Sequence, residues 1–270
     1  MTKERGMNSR KEKLEAFGRL LDIMDELREK CPWDKEQSFE SLRNLTIEET
    51  YELADAIIEK DMNGIRKEMG DLLLHIVFYA KIGSETSHFD IADVCDSLSE
   101  KLIFRHPHVF GDTQVTDSTN VIENWEDLKI KEGNKTVLGG VPKSLPAMIK
   151  SNRIQDKVRA VGFDWDERDQ IWDKVHEELE ELRDEIRDGN QDRIEDEFGD
   201  LFFSVINAAR LYKVDPETAL ERTNKKFIKR FNYLEQQTLH KGKSLRDMNL
   251  EEMNIIWEQA KAFDDKKETK

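Results

Sequence analysis

The feature that most constrains this chain is an acidic helical motif that occurs twice, 129 residues apart. Glu48-Glu49-Thr50-Tyr51-Glu52-Leu53 aligns with Glu177-Glu178-Leu179-Glu180-Glu181-Leu182. Lys67-Glu68-Met69-Gly70-Asp71-Leu72-Leu73 aligns with Asp196-Glu197-Phe198-Gly199-Asp200-Leu201-Phe202 at the same offset. A repeat of this kind makes each half of the chain one supersecondary unit and limits the folds open to it. Lys101 and Arg105 then meet Lys226 and Arg230 at an offset of 125, so the first half carries four extra residues. These fit the segment Gly83-Ser84-Glu85-Thr86-Ser87-His88. Duplication of one unit accounts for both offsets.

The repeated unit is helical. Leu14, Phe17, Leu21, Met24 and Leu27 recur at three- and four-residue intervals, and Leu42, Leu45, Leu53 and Ile57 fall on a similar stripe. No stretch alternates apolar and polar residues between turn signals as a strand would. The prolines stand at plausible helix starts or in loops. The reading is all-α: two tandem repeats of a four-helix unit. Glycine and proline crowd between Gly133 and Pro146. A linker is therefore expected at 133–146, between an N-terminal helical domain at 1–132 and a C-terminal one at 147–270.

Charge excludes some functions. The 270 residues hold 43 Lys and Arg against 58 Asp and Glu, a net charge of −15. Tracking a nucleic-acid polymer needs positive patches, so no such partner is expected. Small polyphosphates stay open, because a divalent cation can bridge carboxylates to phosphate oxygens. No apolar run approaches the roughly 18 residues of a membrane span. The start, Met1 to Arg5, leads into a charged helix pattern rather than an apolar signal core, so the expected location is the cytoplasm. Cys31 and Cys95 give neither a disulfide framework nor a CxxC pair.

The acids carry a register. In the second half, Gly189 can end one helix in the left-handed conformation and start a hairpin to the next. Facing residues then have numbers that average to the turn: 181 with 197, and 178 with 200. Glu178 and Glu181 share one helix face, as do Glu197 and Asp200. In the first half 49 with 71 and 52 with 68 average to 60, near an expected turn at Asn63-Gly64. At about 100° per residue, Glu178 lies roughly 60° from the centre of the stripe of Ile171, Val175, Leu179, Leu182 and Ile186. Glu197 flanks the stripe of Ile194, Phe198, Leu201 and Val205 in the same way. These acids edge the core. Like charges about 4–5 Å apart repel by roughly 3–4 kcal/mol per pair at an effective dielectric of 20. Such a cluster calls for a hard cation, Mg²⁺ or alternatively Mn²⁺. A single Glu-Glu-Leu-Glu-Glu-Leu is commonly a solvated helix face; two copies with matching Glu-x-x-Asp partners in hairpin register are not explained that way.

Glu-Glu-x-x-Glu followed by Glu-x-x-Asp on the next helix resembles the motif of the MazG family of nucleoside triphosphate pyrophosphohydrolases. The likeness covers nearly the whole chain and is to the tandem members. It extends to Cys31-Pro32-Trp33-Asp34, Arg105-His106-Pro107-His108, Val161-Gly162-Phe163-Asp164-Trp165, Asn224-Lys225-Lys226-Phe227 and Leu250 through Trp257. The resemblance implies Mg²⁺-dependent hydrolysis of an NTP or dNTP between the α- and β-phosphates, a nucleotide-pool house-cleaning reaction. It implies Glu178, Glu181, Glu197 and Asp200 as metal ligands and Glu177 as a second-layer acid or water-activating base. Lys226 and Arg230 would steady the departing pyrophosphate, and Asn224 would hold sugar or phosphate. The first-half set is Glu49, Glu52, Glu68 and Asp71, with Glu48, Lys101 and Arg105; Ser99 stands where Asn224 does. Trp33, Phe163 and Trp165 read as helix-packing aromatics, with stacking on a nucleobase the functional alternative. The second half is expected to be the main catalytic site, and a homodimer the expected assembly, unless the halves pair within one chain. His75 has no counterpart, Ser204 taking its place, and reads as structural or surface.

Two other functions compete. A di-iron carboxylate bundle needs Glu-x-x-His pairs, which these motifs lack. A non-enzymatic helical scaffold with solvated acidic faces predicts neither metal stabilisation nor nucleotide turnover.

Overall fold

Several of the long helices start with side-chain caps. Ser9 accepts from the Glu12 amide while Glu12 reaches back to Ser9, and this capping box opens α1 (Arg10–Lys30). In the computed structural model, residues 7–115, 121, 128, 136–165, 167–240, 242 and 244–265 are described. Pro32 at the first position starts the short α2 (Pro32–Glu36). Ser38 and Ser41 cap α3 (Phe39–Glu59), and Asp61 caps α4 (Met62–Glu85). Asp90 caps α5 (Ile91–Arg105), and α6 (Pro107–Phe110) follows. The second half holds α7 (Ala147–Arg159), α8 (Ile171–Asp188), α9 (Gln191–Leu211), α10 (Pro216–His240) and α11 (Leu250–Asp265). Among the described residues there are also 3₁₀ turns at Arg168–Gln170 and Leu245–Asp247. Among the described residues there is no strand, so the all-α reading holds. No described helix is long and apolar enough to cross a membrane.

The chain divides into two compact units, Met1–Val115 and Thr116–Lys270. Of the linker expected at 133–146, residues 133–135 lie outside the described residues. Residues 136–146 run as turns tied to α7: Lys157 Nζ donates to the Val137 carbonyl at 3.3 Å and Lys150 Nζ to the Lys143 carbonyl at 2.7 Å.

Each unit is built on a helix hairpin, α3 with α4 and α8 with α9. Gly189 ends α8 with φ 75°, as its position required, and Asn190 caps α9. The first hairpin differs from expectation. Its left-handed residue is Lys60, φ 58°, while Asn63 and Gly64 lie inside the first turn of α4. Gly64 serves packing instead: a Cβ there would stand 2.9 Å from Asp61 Oδ2 and 3.2 Å from the Ala56 Cβ. The turn therefore falls at position 60, the centre that the acid register gives. The four extra residues also resolve. Helix α4 has 24 residues against 21 in α9, so three lengthen the helix and one lengthens the loop.

The first unit closes over Met24, Leu42, Val77, Phe78 and Ile82, with Phe17, Leu20, Leu21 and Tyr79 packed against them. Arg28 from α1 donates to Glu85 at 3.0 Å and to the Asp34 carbonyl, and lies over the Phe78 ring. The second unit buries Ile171, Leu182, Ile206, Ala208 and Leu234. There Arg210 on α9 clamps Asp164, Nη1 to Oδ2 at 3.0 Å, and holds the loop before α8 in place. Burial works to raise the Asp164 carboxyl, but hydrogen bonds from Arg210 and the Trp165 backbone and the charges of Arg210 and Arg159 together outweigh it and keep the group below the usual range.

Candidate active site

Helical spacing puts Glu178 on the core edge of α8, and the α8–α9 hairpin brings Glu197 and Asp200 opposite. One carboxylate oxygen from each of the three lies within 4.8 Å of the others. Glu178 is buried at 6% exposure, and the buried Oε2 of Glu197 has no hydrogen-bond partner. Burial raises the Glu197 carboxyl, and the charges of Glu181, Asp200 and Glu178 raise it further. An unpartnered carboxylate oxygen pressed against other carboxylates is an acceptor that a hard cation would satisfy. Glu181 is exposed and stands outside the trio, though its charge acts on Glu197.

The first unit repeats the arrangement with Glu49, Glu68 and Asp71, again within 4.8 Å of one another. Glu68 is buried, and Glu52, like Glu181, is exposed and outside the trio. Burial raises the Glu49 carboxyl, with Asp71, Glu52 and Glu68 adding to it.

Each trio carries a lysine, but from different places. Lys67 Nζ sits 3.0 Å from Glu68 and 3.7 Å from Asp71, touching two of its three acids. Lys174 Nζ, one turn before Glu178, is 2.6 Å from Glu178 and 2.9 Å from Glu177. Those two bonds hold the Lys174 ammonium well above the usual lysine range. The repeat places Leu45 opposite Lys174 and Asp196 opposite Lys67, so neither lysine has a counterpart.

A cavity of about 580 Å³ opens beside the second trio, and Glu178, Asp200 and Lys174 line it. Its apolar wall is Ile154 and Val158 of α7, Phe163 and Trp165 of the following loop, Ile171 and Phe203. Gln155, Asn207 and Arg210 add polar groups. In the first unit, buried core residues stand at matching positions. Phe78 occupies the position of Asn207, and the buried Met24 that of Ile154, given Asp34 and Asp164 as matching residues 130 apart. His75, at the position of Ser204, is buried, and its burial lowers its pKa.

The remaining sequence-predicted residues spread out. Glu177 is exposed and bonded to Lys174; Glu48 is exposed on α3. Trp165 lines the cavity, whereas Trp33 is 56% exposed on α2. Lys226, exposed, and Arg230, half-buried, lie one turn apart on α10, which packs on α7 and α9, and they are not among the cavity residues. Asn224 Nδ2 donates to Glu221 at 3.2 Å. On α5, Lys101 is exposed and Arg105 half-buried, and the Ser99 hydroxyl bonds the Cys95 carbonyl. Sequence reasoning missed Gln155, Lys174, Asn207 and Arg210. Only Lys174 left a trace, four residues before Glu178 on the same helix face.

Comparison with known proteins agrees with this geometry. The family model of the MazG nucleotide pyrophosphohydrolase domain matches residues 37–110 and 167–234, one match per hairpin. The nucleoside triphosphate pyrophosphohydrolase of Escherichia coli (strain K12) is 41% identical over 257 residues, 92% of this chain and 98% of that one. The nucleoside triphosphate pyrophosphohydrolase/pyrophosphatase MazG of Thermotoga maritima is 41% identical over 254 residues, 92% and 97% of the two chains. YabN of Bacillus subtilis is 44% identical over 251 residues, 91% of this chain and 51% of that protein. With both hairpins matched and the likeness running nearly end to end, the chain belongs to the MazG nucleotide pyrophosphohydrolase family.

Proposed function

We propose that this chain hydrolyses nucleoside triphosphates, ribo or deoxy, to the monophosphate and pyrophosphate, with Mg²⁺ or Mn²⁺ held by Glu178, Glu197 and Asp200. The observation that carries the reading is the unpartnered Glu197 oxygen within a carboxylate trio, two of whose members line a cavity large enough for a nucleoside. The bound ion would neutralise triphosphate charge and lower the pKa of the attacking water. Glu181 adds negative charge one turn away. Glu177, hydrogen-bonded to Lys174, is the group suited to accept the water's proton. The apolar wall takes the base. Lys226 and Arg230 act on the pyrophosphate oxygens, where charge grows as the α–β bond breaks. The second unit is the catalytic one, because the buried core residues Phe78 and Met24 stand in the first unit where the cavity-lining Asn207 and Ile154 stand in the second.

A panel of NTPs and dNTPs with Mg²⁺ and an EDTA control tests this. The expected products are monophosphate and pyrophosphate, lost on chelation. Diphosphate with orthophosphate would mean that another bond is cleaved, and turnover unaffected by EDTA would remove the metal from the reading.

The carboxyl shifts give a second test with a definite sign. Glu49 and Glu197 hold their protons more tightly folded than unfolded. Their contribution to stability is therefore fully present below the ordinary value of 4.5 and is lost as pH rises through the raised folded value. A bound cation removes that penalty. Mg²⁺ is expected to raise the melting temperature more at about pH 8 than at about pH 5, with proton release on binding. A pH-independent shift read by calorimetry would contradict it.

The assembly we propose is a homodimer. Phe198, Phe202 and Val205 are exposed along α9, and Met69, Leu73 and Ile76 are exposed at the matching positions of α4. Two apolar faces repeated at the same offset are surfaces that a second copy would cover. Phe202→Glu should then turn a dimer of the 31.7 kDa chain into a monomer in sedimentation equilibrium. A monomeric wild type would overturn the proposal.

A further inference from the structure

We infer that the side-chain oxygen of Gln155 reads an N–H group on the edge of the nucleobase, an inference that rests on the second-unit cavity being the nucleotide pocket. Gln155 is 3% exposed and lines that cavity. Its Nε2 donates to the Phe203 carbonyl at 2.9 Å, with the Ser151 hydroxyl at 3.5 Å. A carbonyl only accepts, so Phe203 fixes which end of the amide carries nitrogen. The other end, Oε1, is buried and has no partner. A buried amide oxygen left unpaired is costly, and a ligand in the cavity that Gln155 lines can supply its donor.

The walls narrow the choice of donor. Phe163, Trp165 and Phe203 form an aromatic and apolar surround suited to a flat base rather than to a sugar. Beside them Asn207 accepts twice from Arg210 through Oδ1, at 2.9 and 2.7 Å, which leaves its amide nitrogen as a donor toward an adjacent base acceptor. An acceptor beside a donor matches the edge of a nucleobase. The first unit has no such reader: the position of Gln155 is Asp25, paired with Lys81 at 2.6 Å. Two kinds of base nitrogen supply the N–H, an exocyclic amine as in adenine and a ring imide as in hypoxanthine or uracil.

Calorimetric titration of the full-length protein with nucleoside 5′-monophosphates separates them. The probes are AMP, purine riboside 5′-monophosphate (adenine without its amine), IMP and UMP, each against wild type and Gln155→Met. With an amine as the source, wild type binds AMP at least about tenfold tighter than purine riboside monophosphate, and the variant loses that preference. With an imide as the source, IMP and UMP carry the tenfold preference and lose it in the variant, while AMP does not. All four bound within twofold by both proteins would overturn the inference and put a water on Oε1. If Gln155→Met fails to fold, wild type alone decides: AMP, IMP and purine riboside monophosphate bound within twofold of one another refute it. Hydrolysis without discrimination would sink Gln155 and spare the proposed reaction. Discrimination without pyrophosphate release would do the reverse.

Discussion

The variant Glu197→Gln with Asp200→Asn is expected to release pyrophosphate at least about a hundredfold more slowly than wild type, because it removes two of the three charged oxygens that would hold the ion. The same variant should be no less stable. Gln and Asn keep the shape of the side chains, and they end the repulsion that raises Glu197 and involves Glu181 and Glu178. Loss of turnover with an unchanged or higher melting temperature separates loss of the site from loss of the fold. The counterpart Glu68→Gln should leave most of the rate in place. If the double variant kept the wild-type rate while Glu68→Gln lost it, the first unit would be the catalytic one.

Phe78→Ala is expected to destabilise the first unit by about 3–5 kcal/mol, the usual cost of removing a fully buried aromatic side chain. Phe78 is 2% exposed, sits among Met24, Leu42, Val77 and Ile82, and carries Arg28 across its ring at 5.5 Å. Truncation would leave a cavity and strip the guanidinium of that face. Denaturant unfolding with separate probes for the two units should show the first transition moving and the second staying. At temperatures where both units are folded, turnover should be close to wild type. A loss below about 1 kcal/mol would mean that the site collapses around the missing ring.

Much of this is legible in the sequence. Hairpin geometry is arithmetic: helices joined by a short turn place residues in facing pairs about its centre. The numbers 178, 197 and 200 therefore carry the second cluster, and 49, 68 and 71 the first. In the first hairpin the arithmetic outperformed the turn chemistry. The acid register pointed to residue 60, where Lys60 takes the left-handed conformation, while the glycine signal pointed four residues on. A glycine can answer to a neighbouring helix as well as to a turn, and sequence does not say which. Equal spacing also could not rank the acids. Glu52 and Glu181 share the motif but lie a turn outside the trios.

Helical class, duplication, paired acids and hairpin register can all be read along the chain, because they are local periodicities or fixed offsets. Tertiary structure alone decided the difference between the two units. Whether a volume between helices stays open depends on side chains from separate elements meeting there: Phe78, Met24 and Arg28 in the first unit, Asn207, Ile154 and Val158 in the second. Gln155 is the clearest case. In sequence it is one polar residue on an ordinary helix, and only the carbonyl of Phe203, 48 residues away, engages its amide nitrogen and leaves its buried oxygen unpartnered in a residue that lines the cavity.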